Sequence, residues 1–299
     1  MIAHRLNCVR AAALVSAALA FPAWADTVTV GAAADTCIFA PQFGSEQSNG
    51  VGIHLYAGKN SSGNVRRALL RFDLSSIPPG SIVTDVTVSL TCTRSPNGDN
   101  LTFAMHRVLG AWGEGTSDAG DPGGIGAEAT PGDATWVNRV YPSTPWTTAG
   151  GDFVASPSTS TVVSLTGSYT FPSTPALVSD VQAWIDSPPS NNGLILLGDE
   201  SVSEGPAARR FSSRENPALA ERPSITVTFT PPAGCDAIDF NGDGLFPDTA
   251  DIDDFLSVFS GGACSTGTCG DVDFNNDGLF PDTLDIDSLL SVFSGGPCL

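Results

Sequence analysis

Short runs of alternating or β-branched apolar residues recur along residues 26–230 of this 299-residue chain. Connections rich in Gly, Pro, Ser and Asn separate them, and one long connection extends from about 110 to 155. A period of two places one face of a strand in the core, so the pattern predicts an all-β domain. Residues 176–185 alone have the spacing of a short helix. The predicted strands are 27–30, 68–72, 82–90, 102–108, 161–165, 193–197 and 224–229.

The pattern becomes helical near the C-terminus. A Gly-Gly pair ends each of two segments, at 261–262 and 295–296, as expected after a helix. Each helix offers one apolar stripe, which it cannot bury alone, so we expect the two helices to pack together. The stripes have the spacing i, i+3, i+4, i+7 and consist of Ile252, Phe255, Leu256 and Phe259, and of Ile286, Leu289, Leu290 and Phe293.

A repeated acidic loop precedes each predicted helix. The eleven residues from Asp239 recur, with one change, from Asp273, 34 residues later. Asp, Asn and Asp at alternate positions bring three side-chain oxygens together, and a following Gly allows the sharp turn of a calcium loop. Asp248 and Asp282 are alternatives for the closing acid. The predicted Ca²⁺ ligands are Asp239, Asn241, Asp243, the carbonyl of Leu245 and Asp251, then Asp273, Asn275, Asp277, the carbonyl of Leu279 and Asp285.

The distribution of charge supports a cation at these loops. The formal net charge is −19, and residues 235–299 contain thirteen Asp but no Glu, Lys, Arg or His. So many carboxylates in a short segment repel one another unless a cation neutralises them. The alternative is a solvated, disordered acidic tail. The overall acidity argues against nucleic acid and anionic membranes as partners.

The N-terminus has the features of a secretory signal peptide over residues 1–25. Two Arg precede an apolar run, and Ala-Trp-Ala at 23–25 forms a cleavage pattern. No later stretch approaches the length of a membrane span, so we expect a soluble exported protein without membrane insertion. Six cysteines remain after cleavage, an even number that indicates disulfides in an exported chain. Cys37 and Cys92 are interpreted as one structural disulfide.

Residues 235–299 resemble a dockerin, in which two loop–helix units pack antiparallel around calcium. The resemblance implies a small α-helical docking domain, joined to residues 26–230 by a linker at 231–234. Its antiparallel arrangement favours Cys264–Cys269 and Cys235–Cys298 among the three possible connectivities. It also implies a cohesin-like or cell-envelope partner, and the alternative is a calcium-stabilised cap without a partner. The closing acids Asp251 and Asp285 fall at loop position 13, where the family has position 12.

A second resemblance extends over most of the β domain. Residues 67–78, 112–114, 134–136, 146, 150–152, 181–184, 192–193 and 211–215 follow the motifs of the DNRLRE-domain family of secreted bacterial proteins. Membership implies a jelly-roll β-sandwich, and part of that family is classed with carbohydrate-binding modules. The fold class expected for the whole chain is therefore mainly β, with a jelly-roll sandwich followed by the small helical domain.

Residues of the long connection and of strand 68–72 are candidates for contact with a sugar. Aromatic rings stack on pyranose faces, and carboxylates and guanidinium groups bond hydroxyls. The alternative is that the Trp rings pack a loop onto the sandwich and the charges form buried ion pairs; Trp184 is interpreted as core. The candidate binding residues are Arg67, Arg71, Trp112, Glu114, Trp136 and Trp146.

The sequence therefore predicts a secreted, non-catalytic polysaccharide-binding protein with a calcium-dependent docking module. A structural or adhesive surface protein, anchored by the calcium module, is the alternative. A polysaccharide-degrading enzyme is a third reading, because two carboxylates suffice for glycoside hydrolysis. The two histidines outside the signal segment give no credible catalytic triad.

Overall fold

A computed structural model describes residues 25–41, 44–201, 206–232, 234–245, 248–276 and 281–299. The predicted signal peptide falls at 1–24 outside these ranges, apart from its last residue. Three α-helices are present in the described residues: α1 Pro175–Asp186, α2 Thr249–Phe259 and α3 Thr283–Phe293. The described strands are β1 Asp26–Phe39, β2 Gln47–Ser48, β3 His54–Lys59, β4 Val65–Phe72, β5 Ile82–Arg94, β6 Leu101–Arg107, β7 Ala127–Glu128, β8 Asn138–Val140, β9 Thr144–Pro145, β10 Thr159–Val163, β11 Gly167–Phe171, β12 Leu194–Leu197, β13 Arg209–Ser212 and β14 Ser224–Thr230.

Ten strands form one antiparallel sheet that closes on itself. Its order is β1-β14-β5-β13-β3-β4-β12-β6-β10, with β11 on the other edge of β5. The long strand β1 pairs with β14 up to Gly31 and with β4 from Ala32 onward. Six strands, β1, β14, β5, β13, β3 and β4, therefore complete a ring. The fold is mainly β, as predicted, and its barrel-like sheet is consistent with a β-sandwich.

The interior of the sheet is an apolar core. Phe103 and Phe211 meet edge to face with ring centroids 5.6 Å apart, and Trp184 from α1 is buried, as expected. Helix α1 is fixed to β5 because the Gln182 amide oxygen accepts a hydrogen bond from the Val83 backbone N–H, at 2.8 Å. The predicted helix at 176–185 is confirmed.

The long connection folds over the outer face of the sheet and builds a second, smaller core. Side chains alternate along β4, so Arg67, Leu69 and Arg71 lie on the face opposite the main core. Trp112 and Trp146 from the connection are buried against Leu69. A second core forms on this face because Leu69 is an apolar residue between two arginines, Arg67 and Arg71, and the packed tryptophans remove it from water.

Helices α2 and α3 pack around aromatic residues from the loops before them. Phe255 and Leu289 are buried, as the stripes predict, in a core with Phe240, Val272 and Phe274. The prediction that Leu256 and Leu290 belong to the packed face is wrong, since they are 44% and 46% exposed. The helices turn instead toward the loop aromatic rings. No helix in the described residues is long and apolar enough to cross a membrane.

Both disulfides expected in the C-terminal region are present. Cys235 joins Cys298, and Cys264 joins Cys269, with Cα–Cα distances of 5.5 and 5.8 Å. The first joins the two ends of this region, and the second closes the connection between α2 and the second loop. This connectivity agrees with an antiparallel pair of loop–helix units.

The predicted Cys37–Cys92 disulfide is wrong, because both residues are buried free thiols. Cys37 lies on β1, where its Sγ accepts a hydrogen bond from the Tyr56 backbone N–H at 2.9 Å. Cys92 lies on β5, and its thiol donates to the Arg94 carbonyl oxygen at 3.5 Å. The two strands do not pair at these residues, so an even count of cysteines was misleading here.

We predict that iodoacetamide will alkylate Cys37 and Cys92 only after the protein is unfolded. Burial raises the pKa of the Cys37 thiol to about 12, which leaves almost no reactive thiolate in the folded protein. Unreduced protein in denaturant should be modified at Cys37 and Cys92, and the native protein at neither. Peptide mapping after iodoacetamide treatment measures this. A peptide in which Cys37 is joined to Cys92 would contradict the structure.

Candidate functional site

Two adjoining cavities form one groove beside the long connection, here called the outer groove. Their volumes are 1010 and 660 Å³, and Ala111, Pro189 and Asn192 line both. Arg67, Arg139, Asp152 and Phe153 line the first cavity, and Arg71, Asp73 and Trp184 line the second. A concave surface of this combined volume accommodates a chain of several rings better than one small molecule.

Arg67 is held rigidly in the wall of the outer groove. Its Nε and Nη2 donate to the two carboxylate oxygens of Glu200, at 2.7 and 2.8 Å, and its Nη1 donates to the Gly150 carbonyl at 2.6 Å. Its guanidinium carbon lies 4.8 Å from the centroid of the Trp136 ring. Gly150 has φ +95°, and a Cβ there would approach Trp136 to 2.8 Å, so a larger residue would displace the stacked pair. Arg67 therefore forms a structural ion pair and also contributes to the groove.

Two of the three tryptophans that were predicted to contact a sugar are core residues. Trp112 and Trp146 are 4% and 5% exposed, and their indole N–H groups donate to the carbonyls of Asn192 and Thr135. Neither ring presents a face to a sugar, so that prediction is wrong in this structure and loop packing is the correct alternative. Trp136 remains partly exposed.

The other predicted contacts divide between the groove and a separate site. Arg71 lines the second cavity, with its guanidinium carbon 5.4 Å from the Trp112 ring centroid. Glu114 lines neither cavity of the outer groove. It bonds Arg214 through both carboxylate oxygens, at 2.6 and 2.9 Å. Glu114 therefore belongs to a structural ion pair, the alternative raised for such charges.

Three carboxylates surround Arg214 and form what we call the carboxylate cluster. Besides Glu114, the cluster contains Glu215, 2.9 Å from the Arg214 Nε, and Asp35, whose Oδ2 accepts from the Arg214 backbone N–H. Asp35 is 1% exposed, and its Oδ1 has no partner among the described residues. The Arg214 guanidinium thus contacts two partly exposed carboxylates, and the third, on Asp35, is buried against the Arg214 backbone.

Burial changes the protonation of this cluster. Desolvation raises the pKa of Asp35 well above its usual value, and the charges of Glu215 and Glu114 raise it further. Desolvation also raises the pKa of Glu215, against the lowering effect of Arg214. Asp35 therefore retains its proton at a higher pH than an exposed aspartate does.

The first acidic loop directs side-chain oxygens toward its own interior. The Asp243 backbone N–H lies 3.0 Å from both Asp239 Oδ1 and Asn241 Oδ1. Asp251, from the first turn of α2, is fully buried, and its Oδ1 accepts from the Asn241 backbone N–H at 3.3 Å. Asp251 thus reaches back across the loop, as predicted for the closing acid.

The alternative closing acids, Asp248 and Asp282, have a different role. Asp248 caps α2, because its side chain accepts from the Ala250 backbone N–H at 2.8 Å, and Asp282 caps α3 in the same way. These aspartates and those at helix position N3 form a reciprocal capping box. Both pairs of carboxylates bond backbone groups at the start of the helices, but Asp251 and Asp285 also accept from the Asn241 and Asn275 backbone nitrogens within the loops, so they are the better placed to close a loop.

The second loop repeats the first where it is described. Asp285 is fully buried, and its Oδ1 lies 3.5 Å from the Asn275 backbone nitrogen. Asn276 has φ +54° at the position of Gly242 in the first loop, which has φ +68°, so the same turn is made with a different residue. Asp277 and Leu279 lie outside the described residues.

The donors of these loops fit Ca²⁺ chemically, since all are oxygens and the buried carboxylates have no basic residue in 235–299 to balance them. Within the described ranges, no three His, Cys, Asp or Glu side chains form a metal-binding group. A calcium site in the first loop would therefore need the Asn241 amide oxygen and the Leu245 carbonyl as well as carboxylates.

Sequence reasoning did not assign a role to Glu200, which holds Arg67 in the groove wall, or to Asp152, which lines the first cavity. Glu200 has no local motif, and only its pairing with Arg67 in space reveals it. Asp152 was noted only within a Gly-Gly-Asp motif, and it accepts from the Thr147 and Thr148 backbone N–H groups at 2.7 and 2.8 Å. The signal that could have indicated this turn is the motif itself, because consecutive glycines with positive φ followed by Asp are typical of a tight turn.

We predict that Asp35→Asn will alter the pH dependence of stability. A carboxyl whose folded pKa is raised contributes stability below its unfolded pKa, and this is lost as pH rises through the folded pKa, at no more than about 1.4 kcal/mol per pH unit. Asn can keep the bond to Arg214, so the variant should gain stability relative to the native protein between pH 5 and pH 8. Urea denaturation at both pH values measures the difference. A constant difference would contradict the raised pKa.

In comparisons with known proteins, no family model matches the chain and no curated protein matches it. The resemblances to the DNRLRE-domain family and to dockerins therefore stay predictions.

Proposed function

We propose that this chain is a secreted, non-catalytic polysaccharide-binding protein, in which a jelly-roll β-sandwich binds the polymer and a dockerin-like C-terminal module binds calcium and a protein partner. The observation that carries the proposal is the outer groove, which extends over two adjoining cavities and combines charged groups with the ring of Phe153. The two disulfides of the C-terminal region support an oxidising, extracellular location.

The chemistry of the groove suits sugars. Phe153 lines it, and the partly exposed Trp136 stacks on the arginine in its wall. Arg139 and Asn192 add polar groups that bond hydroxyls. A rigid wall limits the entropy lost on binding, because Arg67 is already fixed by Glu200 before a ligand arrives.

The carboxylates favour binding over catalysis. Glycoside hydrolysis needs a carboxylic acid of raised pKa beside the scissile bond. In the groove, Asp152 accepts two backbone hydrogen bonds, and a hydrogen bond from the Ser75 backbone lowers the pKa of Asp73. The acids of raised pKa, Asp35 and Glu215, line neither groove cavity.

A structural or adhesive surface protein is the second candidate. The packed Trp112 and Trp146 favour it, because they stiffen the sandwich and leave fewer rings for a sugar. In both candidates the calcium module supplies the attachment. Its partner would be a cohesin-like or cell-envelope protein, and Ca²⁺ would fix the loop shape that the partner meets.

Calcium in the first loop would be held by oxygens of Asp239, Asn241, Asp243 and Asp251 and by the Leu245 carbonyl. Asp273, Asn275 and Asp285 would serve the second loop, together with the predicted ligands Asp277 and Leu279. The ion would neutralise carboxylates that otherwise repel one another. Asp251 and Asp285 belong to both loop and helix, so they would couple ion binding to the start of each helix.

For the groove, we expect Arg139→Gln and Trp136→Ala each to weaken polysaccharide binding about tenfold. The first removes a charged hydrogen-bond donor from the lining, and the second removes the ring on which Arg67 stacks, since Trp136 itself lines neither cavity. Arg222→Gln is the matched control, since it makes the same charge change and lines neither cavity. Affinity electrophoresis of the full-length protein through plant and algal polysaccharides, with a parallel assay for released sugar, gives the result. Failure to bind any polymer would favour the structural candidate, and sugar release would indicate an enzyme.

For the calcium module, we expect two Ca²⁺ ions per chain and at least a tenfold lower affinity at one site in Asp251→Asn, which removes a charged ligand. Asp253→Asn is the matched control, because Asp253 lies on the same helix and is exposed. Isothermal titration calorimetry of decalcified full-length protein measures number and affinity. Unchanged binding in Asp251→Asn would assign the closing position to another residue, and absence of binding would refute the module's calcium function.

A further inference from the structure

Three arginines that are well separated in sequence lie close together on neighbouring strands of the closed sheet. Arg94 on β5 lies directly opposite Arg210 on β13, and Arg210 lies opposite Tyr56 on β3. On the next strand, β4, Arg66 lies opposite Gly58. Four strands thus bring three guanidinium groups and a phenol to one place, and all four side chains line a single cavity. We call this cavity the arginine pocket.

An irregularity in the sheet places Arg94 in this group. Leu90 and Cys92 are buried in the main core, and strict alternation would direct Arg94 to the same side. The register shifts between the Phe211–Cys92 and Arg210–Arg94 pairs, which adds a residue to β5. A bulge of this kind redirects a side chain, and here it sets Arg94 beside Arg210.

This arrangement concentrates positive charge and thereby destabilises the sheet locally. Like charges directly opposite one another on adjacent strands destabilise a sheet. Arg94 is exposed, and its guanidinium has no hydrogen bond or ion pair with any part of the chain that the structure describes. Arg210 has one acidic neighbour, with its Nη1 3.4 Å from Asp121 Oδ1, and that Asp121 side chain is 69% exposed. Among the described residues, Arg210 is therefore the one member of the three that pairs with a carboxylate, and that carboxylate is solvated, in a protein whose net charge is −19.

The pocket is built to receive one group. Its volume is 240 Å³, and three prolines, Pro96, Pro122 and Pro206, form stiff apolar walls. The Arg66 Nε donates to the Gly124 carbonyl at 2.6 Å, which fixes one guanidinium in the wall. No lining residue is shared with the outer groove.

We propose that the arginine pocket binds a single oxyanion, either the carboxylate of a uronic acid or a sulfate ester, carried by an otherwise neutral glycan. Planar guanidinium groups match oxyanion geometry, and the bound anion would relieve the repulsion between Arg94 and Arg210. A densely charged polymer is disfavoured, since the pocket has room for one ring and the rest of the domain is acidic. That a glycan carries the oxyanion rests on the proposed function, whereas the anion site itself does not.

The test uses matched ligands that differ by one charge. Titration calorimetry of the calcium-loaded, full-length protein compares xylotetraose bearing one glucuronic acid with plain xylotetraose, and a monosulfated galactan oligosaccharide with its desulfated form. We expect an acidic form to bind at least about tenfold more tightly than its neutral partner, as for one charge-assisted contact. Arg94→Gln and Arg210→Gln should each abolish this advantage. Arg222→Gln, which lies outside the pocket, should preserve it.

The outcomes separate this proposal from the proposed function. An advantage for only one acidic form supports the pocket and identifies the oxyanion as carboxylate or sulfate. If Arg139→Gln weakens neutral binding but preserves the advantage of charge, the two sites are independent. If neutral glycans fail to bind at all, an Arg94-dependent advantage still supports the pocket. Equal binding of acidic and neutral forms, no binding of either acidic form, or an advantage that survives Arg94→Gln would overturn it.

Discussion

The alternation of side chains along β4 is the constraint on which both halves of the β domain depend. Arg66 and Arg67 are consecutive, so they must lie on opposite faces of the strand. Arg66 reaches the arginine pocket, and Arg67 reaches the outer groove. Further along the same strand, Leu70 faces the main core and Leu69 faces the smaller core. A shift of one residue in the register of β4 would exchange every one of these environments.

The long connection forms a second layer because β4 presents an apolar residue, Leu69, on its outer face. Leu69 alone would leave apolar surface in water between two arginines, and the buried Trp112 and Trp146 remove it. The same packing fixes the direction from which Trp136 stacks on Arg67. Structural and functional readings of this connection are therefore compatible, since the rings that pack the layer hold the groove-lining residues in place.

Periodicity and repetition predicted what depends on local sequence. The helix around Trp184, seven of the ten strands of the main sheet and the helices after the acidic loops follow from spacing along the chain or from the 34-residue repeat. The Cys235–Cys298 pairing was implied instead by the resemblance to dockerins. The short strands β3 and β13 were missed because glycine or adjacent arginines interrupt the alternation on which such predictions rest.

Proximity in space was beyond the reach of the sequence. An even number of cysteines predicted Cys37–Cys92, although strand order holds the two thiols in different parts of the sheet. The prediction that Glu114 contacts a sugar was wrong for the same reason. Glu114 lies close to Trp112 in sequence, but it pairs with Arg214, one hundred residues away. Composition indicates that a charge is present, and only topology determines which charge it meets.

The same distinction governs what the surface can attract. A net charge of −19 describes the whole chain, but charges in salt solution are screened beyond about 8 Å. Groups within a pocket therefore decide the sign of its ligand. Arg94, Arg210 and Arg66 come from three different parts of the chain and meet because β5, β13, β3 and β4 are neighbours in the ring. The bulge in β5 completes the group, so this local departure from regular strand pairing also makes an acidic protein locally basic.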